Sequence, residues 1–482
     1  MPIVSYPAAL RRSAEAKPDA TALVCGDERL DYKALERGSN RLARAFAERG
    51  VGEGDFVAVA LPNSVDFVLA CFAAWKLGAV PQPLSWKLPE RERRAILDLA
   101  KPALVVGVPD DEAAGFPALA KGFAPAPQHG DEPLPDRTSP SRQALASGGS
   151  TGRPKLIVDT LPAECDPSEP FYGNVPGNTV LIPGPLYHAA GFINTTVTLL
   201  LGGFAVLMPR FDAAEALAAI ERFGVRWVAF VPTMMLRIRR LPDEERSRYD
   251  LSSLERVVSS AAPCPGWLFR EWIDWLGPDR VFEAYGGTER IGGTLISGRE
   301  WLAHPGSVGR PTGGRKLRVL DEQGRELPPG EIGEVFMMPP GGRGSTYRYV
   351  GAEARASADG WETLGDLGYL DEEGYLYLVD RRTDMIVSGG ANVYPAEVEA
   401  AVEAFPGVRC CAVIGLPDED LGQRVHAIVE CDTLDEKALR AHLAEHLARP
   451  KLPRSFERVD EPLRDEAGKL RRFRLREARL SS

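Results

Sequence analysis

Short apolar runs alternate with helix-like segments through most of this 482-residue chain. A helix pattern over residues 32–49 precedes an apolar run over 56–60, and a second helix-like segment covers 64–77. Further apolar runs occupy residues 179–182, 205–208, 227–231 and 257–258. Such alternation predicts an α/β fold with largely parallel sheets, because two parallel strands need a crossover connection, usually a helix, between them.

The pattern changes in the last third of the chain. Short strands with glycine turns between residues 316 and 377 predict a small antiparallel or barrel-like subdomain. From about residue 383 onward we expect a compact α+β unit with a helix opening at Pro395, strands near 411–414 and 425–429, and a helix over 435–448. The Pro-, Gly- and Asp-rich segment 109–143 is expected to be a surface loop.

Composition restricts the class of protein. A chain of this length exceeds what one core fills, so we expect at least two domains. With 44% hydrophobic and 26% charged residues and a net charge of −10, disorder and general nucleic-acid binding are disfavoured. The longest nearly apolar run, 193–208, is shorter than the ~20 residues of a membrane span.

The cysteines and the first residues bear on the compartment. Seven cysteines, an odd number with neither a C-x-x-C pair nor a zinc-like His spacing, suggest buried thiols in a reducing environment. The first residues contain no basic segment followed by an apolar stretch, as an export signal would. We therefore expect a cytoplasmic protein.

One segment has the composition of a phosphate-binding loop. It consists of Ser147, Gly148, Gly149, Ser150, Thr151, Gly152, Arg153, Pro154 and Lys155. Glycines and small hydroxyls allow backbone N–H groups to approach phosphate oxygens, and lysine adds a positive charge. The P-loop signature is excluded, because Arg153 and Pro154 separate Gly152 from Lys155 and Leu156 follows. A flexible linker is the alternative reading.

Other polar stretches, distant in the chain, offer complementary chemistry. Glu289, at the end of Tyr285-Gly286-Gly287-Thr288-Glu289, supplies a hard oxygen for Mg²⁺. The Asp366 carboxylate is suited to accept both hydroxyls of a ribose, and Arg381 adds a cationic contact. Lys469 follows a turn glycine near the end of the chain. Taken singly, each is equally consistent with an ordinary turn, a helix cap or a surface lysine.

In their order and spacing these segments resemble the AMP-forming adenylating superfamily of acyl-CoA synthetases, peptide-synthetase adenylation domains and luciferases. The stretch 300–309 is most similar to bacterial fatty-acid or bile-acid type CoA ligases. The resemblance implies a large N-terminal domain of α/β subdomains with a small barrel-like subdomain, residues 1–380. A hinge at 381–383, with Thr383 as the hinge position, would then lead to a small mobile α+β domain, residues 384–482.

The resemblance also implies functional residues and substrates. Lys469, Thr288 and Glu289 would be catalytic, and Glu289 would hold Mg²⁺. The implied ATP and AMP site comprises Ser147, Gly148, Gly149, Ser150, Thr151, Gly152, Lys155, Ala261, Ala262, Pro263, Glu283, Ala284, Tyr285, Gly286, Thr288, Asp366, Arg381 and Lys469. Coenzyme A would meet the turn of Ser388, Gly389 and Gly390 after the small domain has rotated and withdrawn Lys469.

The acyl pocket implied by the resemblance is lined by His188, Phe192, Val231, Ser260, Ala284, Gly286, Gly287, Ile291 and Gly292. Small residues dominate this set and it contains no carboxylate, so a roomy apolar cavity for a fatty, polycyclic or aryl acid is favoured over one for acetate or an amino acid. His188 as an ordinary core histidine is the alternative reading. The arginines 471, 472 and 474 around Lys469 are expected to form a solvated face.

The sequence departs from the family pattern in several places. Gly148 stands where a hydroxyl is usual, Leu156 where glycine is usual, and Thr383 where Asp or Lys is usual. Asp380-Arg381 replaces the common Gly-Arg. Three functions stay open: a carboxylate–CoA ligase, a stand-alone ligase that loads a carrier protein, and a nucleotide-binding protein without turnover. A homodimer is compatible with the sequence.

Overall fold

The computed structural model describes residues 2–126, 128–148, 154–466 and 468–480. A large mixed sheet forms the centre of the N-terminal part. Its inner strands are parallel, and antiparallel neighbours close both edges. The strands, in order across the sheet, are Arg310–Pro311, Gly293–Ser297, Val281–Gly286, Arg256–Ser259, Trp227–Phe230, Thr179–Ile182, Phe204–Leu207, Thr21–Cys25 and Glu28–Asp31.

A second, parallel sheet lies beside the first. Its strands, in order, are Val80–Pro83, Phe56–Val59, Leu104–Val106 and Ala118–Leu119. A core of buried residues from both sheets and their helices joins them, with Phe72 and Trp75 at its centre. Those two aromatic residues belong to helix Val65–Lys76, which is capped by Ser64 and buried on most of its surface.

Helices cover these sheets. They are Tyr6–Ala16, Tyr32–Ala47, Val65–Lys76, Glu90–Ala100, Ala189–Leu200, Ala213–Phe223, Pro232–Arg239, Asp243–Arg246, Gly266–Leu276 and Gly298–Ala303. A 3₁₀ turn spans Asp110–Glu112, and a short strand pair joins Val4–Ser5 to Glu164–Cys165. No helix in the described part of the chain is both long and apolar enough to cross a membrane.

A barrel-like subdomain follows in the chain. An antiparallel sheet contains Lys316–Leu320, Gly333–Met338, Glu362–Leu370 and Leu376–Arg381. Beside it, strand Tyr347–Val350 pairs with the hairpin of Ala144–Gly148 and Pro154–Asp159. The buried side chains of Ile157, Met337 and Tyr347 belong to one cluster, which fixes the hairpin against the barrel-like sheet.

The last part of the chain has its own core. Its strands are Ile386–Ser388, Ala391–Val393, Val408–Asp418, Gly422–Cys431 and Ser455–Val459. Its helices are Pro395–Glu403, Glu436–His446 and Arg472–Leu480, with a 3₁₀ turn at Arg449–Lys451. We call the elements up to Leu376–Arg381 the large domain and those from Ile386–Ser388 onward the small domain.

The predicted fold class is confirmed: the structure is α/β, with a small barrel-like sheet and a terminal α+β unit. The segment 109–143 differs from the expected surface loop, because Ser139, Ser141 and Gln143 are buried. The Ser139 hydroxyl donates to the Ser141 carbonyl and the Ser141 hydroxyl to the Gln143 carbonyl. Internal hydrogen bonds of this kind allow a polar segment to be buried beneath the hairpin.

Candidate active site

The two described ends of the phosphate-loop segment belong to the paired strands Ala144–Gly148 and Pro154–Asp159. Ser147 pairs with Lys155 and Gly148 with Pro154 in the antiparallel ladder, so both ends of the segment are fixed by backbone hydrogen bonds. Gly149, Ser150, Thr151 and Gly152, the predicted centre of the loop, lie outside the described residues. Leu156 is fully buried in the core beneath the hairpin. That burial accounts for leucine at a position where the resemblance implies glycine.

Lys155 faces Glu289. Its Nζ lies 3.4 Å from the Glu289 Oε1 and 3.9 Å from the centre of the Tyr349 ring. The Tyr349 hydroxyl donates a 2.6 Å hydrogen bond to the same carboxylate oxygen, and the Thr346 hydroxyl donates to the Glu289 carbonyl. Burial lowers the pKa of Lys155, while the Glu289 charge opposes that shift. The hairpin lysine and the acidic residue therefore share one small site.

The Glu289 carboxylate suits a hard cation. Its residue is 8% exposed, so a metal ion held there would be partly shielded from bulk water. Carboxylate oxygens are the ligands that Mg²⁺ prefers, and they are usually combined with water and substrate phosphates. The residues present therefore fit the predicted magnesium site. Thr288, the other predicted catalytic residue of this segment, is half-buried beside Glu289.

A second carboxylate lies nearby on the barrel-like sheet. Asp366 is 8% exposed and pairs across the strands with Arg381. Tyr285, at the end of strand Val281–Gly286, donates a 2.7 Å hydrogen bond to the Asp366 Oδ2, and the Arg381 Nε lies 3.3 Å from its Oδ1. Gly365 takes φ 84°, a conformation that glycine adopts at low cost, just before the carboxylate. The contacts unite three residues predicted for the nucleotide site.

The strand ends around the predicted adenine position are also close together. Ser259 and Glu283 are register partners in adjacent parallel strands, so Ser260, Ala261, Ala262 and Pro263 follow directly beside Ala284. Ala261 takes φ 71°, which is uncommon for a residue with a side chain and turns the chain sharply after the strand. Burial raises the pKa of Glu283 to about 8, opposed by a backbone hydrogen bond from Cys264.

The paired glycines of Tyr285–Glu289 allow close backbone approach. A Cβ on Gly287 would lie 2.7 Å from the Leu364 Cδ1, and one on Gly286 would lie 3.2 Å from the Gly292 carbonyl oxygen. A side chain at Gly287 would therefore displace the side chain of Leu364, which lies on the strand that carries Asp366. The segment consequently packs tightly against that strand.

His188 begins helix Ala189–Leu200. The loop before it is fixed by Asn63, whose side chain accepts from the Leu186 N–H and donates to the carbonyls of Gly184 and Met208. Burial, together with the positive charges of Lys469 and Arg471, lowers the pKa of His188 to about 3. The imidazole is therefore neutral at physiological pH.

The other residues predicted for the acyl pocket fall in two regions. Phe192 is buried against Phe67 and Trp75 beside a small apolar cavity. Val231 follows strand Trp227–Phe230, and its side chain lies close to Gly468 of the small domain. Ile291 is fully buried in the barrel cluster, and a Cβ on Gly292 would lie 2.3 Å from the Met337 Sδ, so these two pack on the barrel side.

Lys469 extends from a turn of the small domain that packs on the large domain. In this turn the Gly468 N–H donates to the Asp465 carbonyl, and the Lys469 N–H donates to the Asp465 carboxylate at 2.9 Å. Gly468 takes φ 72°, and a Cβ there would lie 3.0 Å from the Thr233 Oγ1 and 3.1 Å from the Val231 Cγ2. The turn thus depends on glycine for both conformation and contact.

The Lys469 side chain is accessible to solvent but lies in a cleft between the domains. Loss of surrounding water lowers its pKa; Arg381 adds to this effect, whereas Asp465 and Glu289 oppose it. The ammonium is therefore near enough to Glu289 and Arg381 for their charges to act on it. Predicted site residues that are far apart in the chain are therefore brought near one another.

Two arginines beside the turn are more buried than the sequence suggested. Arg472 donates to Glu399 at 2.6 Å and to Asp384 at 2.7 Å, and Arg464 lies 3.5 Å from Glu403. The expectation of a solvated face is wrong for Arg472, because its guanidinium pairs with carboxylates of the small-domain core. The run of basic residues around Arg472 gave no sign of that pairing. Arg471 and Arg474 are half-exposed and contact Glu92 of the large domain.

The predicted hinge and coenzyme A turn lie next to each other in the chain. Thr383 is exposed, and its hydroxyl lies 3.4 Å from the Asp384 carboxylate. Ser388, Gly389 and Gly390 turn the chain between two short strands, and the Gly389 N–H donates to the Leu421 carbonyl. The hydrogen bonds described for this turn run within the small domain, and none of those described joins it to Lys469.

Asp380 explains one departure from the family pattern. It is 9% exposed and accepts hydrogen bonds from the backbone N–H groups of Arg381 and Ala396, at 2.7 and 2.8 Å. The second bond caps the start of helix Pro395–Glu403. Burial raises the pKa of Asp380 to about 6, opposed by Arg472. Glycine would leave that helix end without this acceptor.

Comparison with known proteins agrees with this geometry. The protein family described as AMP-binding enzyme matches residues 10–342. The family described as AMP-binding enzyme C-terminal domain matches residues 397–469. Feruloyl-CoA synthase from an Amycolatopsis species is 34% identical over 486 residues, covering 95% of this chain and 96% of the relative. Fatty acid–[acyl-carrier-protein] ligase ScoC from Streptomyces coeruleorubidus is 31% identical, covering 96% and 94%.

A solved structure has the same architecture throughout. It is o-succinylbenzoate CoA synthetase (MenE) from Bacillus subtilis, in complex with an acyl-adenylate intermediate. Its TM-score is 0.81 and its identity 26%, with 98% of each chain covered. These matches confirm the resemblance to adenylate-forming enzymes. The division at residues 380 and 384, the hinge and the homodimer stay predictions.

Proposed function

Because the chain belongs to the AMP-binding enzyme family, we propose that it is an ATP-dependent, AMP-forming carboxylate–CoA ligase. One observation carries the proposal: Lys469 of the small domain lies close enough to Glu289 and Arg381 of the large domain for their charges to act on its ammonium. A cleft with these charges, bounded by a glycine-rich hairpin, suits a nucleoside triphosphate.

In the first half-reaction, an oxygen of the carboxylic acid attacks the α-phosphorus of ATP. The bond from that phosphorus to the bridging oxygen breaks, and pyrophosphate leaves with the electron pair. The product is an acyl-adenylate, which makes the acyl carbon a better electrophile because AMP is a better leaving group than oxide. This step brings an anion toward an anion, so its rate depends on positive charge held in place beforehand.

Different residues of the cleft would bind the phosphates, the ribose and the metal ion. The Lys469 ammonium would neutralise charge that accumulates around the α-phosphate, and Lys155 with the hairpin backbone would bind the β- and γ-phosphates. Asp366 would accept the ribose hydroxyls, oriented by Tyr285 and Arg381. A magnesium ion held by Glu289 would supply further positive charge between the phosphates.

In the second half-reaction, the thiolate of coenzyme A attacks the acyl carbon and AMP departs, giving the thioester. The small domain would rotate at residues 381–383, withdraw Lys469 and bring the turn of Ser388, Gly389 and Gly390 to the acyl-adenylate. Hinges of this kind absorb backbone rotation at a few residues between domains. Thr383, exposed and weakly bonded, offers little resistance to such rotation.

For the acid, we propose a bulky, largely apolar carboxylate. His188 is neutral, Phe192 is buried among aromatic rings, and the predicted pocket contains small residues and no acidic side chain. Such a lining offers no partner for an amino group, which disfavours amino acids. The similarity to proteins named for feruloyl-CoA and for fatty acids supports aryl and fatty acids as the first candidates.

A carrier-protein ligase is the second candidate, and the similarity to the acyl-carrier-protein ligase ScoC supports it. Both candidates share the first half-reaction and differ in the thiol that accepts the acyl group. A panel of ferulate, hexadecanoate, cholate, acetate and phenylalanine, each with ATP and Mg²⁺, tests both.

We expect pyrophosphate release with at least one of the first three acids and a thioester after free coenzyme A is added. Thioester formation only on a phosphopantetheinylated carrier protein would favour the second candidate. No acid-dependent pyrophosphate release with any acid would refute the proposed activity for this substrate class.

A further inference from the structure

Glu466 stands three residues before Lys469 and contacts the large domain. The Lys87 ammonium forms an ion pair with its Oε1, and the Tyr187 hydroxyl donates a 3.3 Å hydrogen bond to its Oε2. Lys87 follows strand Val80–Pro83, and Tyr187 precedes helix Ala189–Leu200. One carboxylate of the small domain is thus held by two separate elements of the large domain.

Tyr187 belongs to the loop that carries His188. The two rings are 4.7 Å apart, and Asn63 fixes the backbone of the preceding residue. Burial raises the pKa of Tyr187 to about 12, so its hydroxyl remains a donor at every working pH. The partner of Glu466 therefore lies next to His188, a residue of the predicted acyl site, in a loop held by Asn63.

A second contact lies on the other side of Lys469. Glu92, in the first turn of helix Glu90–Ala100, forms an ion pair with Arg474 and lies 3.9 Å from Arg471. The lysine turn is thus joined to the large domain both before and after the lysine. All three large-domain groups, Lys87, Tyr187 and Glu92, lie outside the nucleotide site described above.

We propose that Glu466 is a positioning residue for Lys469: held by Lys87 and Tyr187, it docks the lysine turn on the large domain for acyl-adenylate formation. This inference rests on the proposed function, in which the turn leaves the cleft before thioester formation. Because the contact joins two domains, its free energy favours one orientation of the small domain rather than the folding of either. Its loss is expected to slow the first half-reaction only.

The solvent exposure of the Lys87–Glu466 ion pair sets the expected size of the effect on pyrophosphate release. The side chains of Lys87 and Glu466 are 47% and 48% exposed, so solvent screens the pair and its contribution is modest. We expect Glu466→Gln to slow acid-dependent pyrophosphate release about fivefold. Thioester formation from supplied acyl-adenylate should stay unchanged or become faster, because the docked orientation is no longer favoured.

The matched control is Glu436→Gln. Glu436 is equally exposed and ion-paired, but its partner Arg440 lies on the same small-domain helix. It should change neither half-reaction. The double variant Lys87→Glu/Glu466→Lys restores the ion pair with reversed charges and should recover pyrophosphate release to within about twofold of the wild type. Recovery would show that the effect of Glu466→Gln arises from the ion pair with Lys87, and the comparison of the two half-reactions distinguishes positioning from a general structural role.

Cross-linking tests the contact without any substrate. A carbodiimide activates the Glu466 carboxyl, and attack by the Lys87 amine forms an amide while the reagent leaves as a urea. We expect a Lys87–Glu466 cross-linked peptide in the wild-type digest, and its absence from Glu466→Gln. Absence of this peptide from the wild type would overturn the docking contact.

The two proposals fail in different ways. Equal loss of both half-reactions in Glu466→Gln, or no loss relative to Glu436→Gln, would overturn the positioning role while leaving the ligase activity in place. A wild type that yields the cross-linked peptide but releases no pyrophosphate with any acid would instead refute the proposed function and retain the docking contact.

Discussion

The Tyr285 hydroxyl and the Asp366 carboxylate form a 2.7 Å hydrogen bond that joins strand Val281–Gly286 of the large sheet to the barrel-like sheet. Arg381 approaches the other oxygen of the same carboxylate. Both oxygens of Asp366 are thus oriented by protein groups, which positions the carboxylate for a ligand with two adjacent hydroxyls.

Asp366→Asn should therefore weaken ATP binding. Loss of hydrogen bonds to a charged acceptor costs about 1.5–3 kcal/mol, which corresponds to a rise of about 10- to 100-fold in the KM for ATP. We expect kcat to change little. Steady-state pyrophosphate release measures both constants. Asp359→Asn, which alters an exposed carboxylate paired with Arg318 on the same subdomain, is the control and should leave the KM for ATP unchanged.

Lys469→Ala should separate the two half-reactions. Removal of one preorganised positive group from a charged transition state slows reactions by about 10²–10³-fold, so we expect this loss in acid-dependent pyrophosphate release. Thioester formation from supplied acyl-adenylate should be retained. Lys437→Ala, an exposed lysine on helix Glu436–His446, is the control. Comparable loss in both half-reactions would contradict the role of Lys469.

Glu283→Gln should alter the pH dependence of stability. The folded-state pKa of about 8 lies above the ordinary value of 4.5, so folding favours the protonated carboxyl. Protonated Glu283 therefore contributes fully to the free energy of unfolding below about pH 4.5. This contribution is lost as pH rises through about 8, and the loss over this window is on the order of 4 kcal/mol. Glutamine does not ionise, so the variant should lose less stability than the wild type between pH 5 and pH 8.

Chemical denaturation at several pH values measures this difference. If wild type and Glu283→Gln lose stability in parallel between pH 5 and pH 8, the carboxyl is not protonated in the folded protein. A steeper loss in the variant would contradict the sign of the pKa shift.

Arg472→Ala should destabilise the small domain. It leaves Glu399, which is 4% exposed, without its bidentate partner, and removal of one partner of a buried ion pair costs about 3–5 kcal/mol. Arg464, 3.9 Å from the same carboxylate, and the Val413 N–H should keep the loss toward the lower end of this range. Hydrogen exchange in helix Pro395–Glu403 measures the local loss and should accelerate strongly. Arg471→Ala, which breaks only a half-exposed contact, should change exchange in this helix little. Similar rates in the two variants would place Arg472 outside the core network.

Local patterns predicted most of the fold. The apolar runs before Ile182, Leu207 and Phe230 became inner strands of the large sheet, because continuous apolar runs suit strands buried on both faces. Helix Val65–Lys76 begins one residue after the predicted start, since Ser64 caps it. The strands of the small domain extend further than predicted, to Val408–Asp418 and Gly422–Cys431, because long antiparallel pairing overrides weak local propensity.

Tertiary contacts decided what the sequence left open. The roles of Tyr349 and Thr346 at Glu289 arise from the packing of strand Tyr347–Val350 on the hairpin, which no local motif signals. Arg472 is buried because helix Pro395–Glu403 presents Glu399 to it, across a separation of 73 residues. Asp380 similarly accepts from the N–H of Ala396, 16 residues later, in the first turn of helix Pro395–Glu403. From the sequence alone, charged residues of this kind are predicted to lie at the surface. They are buried in the folded protein only where they pair with another charged or polar group.

The contact of Lys155 with Glu289 bears on how the proposed magnesium and phosphate sites would be coupled. The ammonium and the carboxylate are ion-paired, the Tyr349 ring contacts the ammonium, and the Tyr349 hydroxyl contacts the carboxylate. A cation held by Glu289 would compete with Lys155 for the carboxylate. An ammonium released in this way would still lie on strand Pro154–Asp159, beside the segment proposed to bind phosphates, so metal binding and phosphate binding would favour each other.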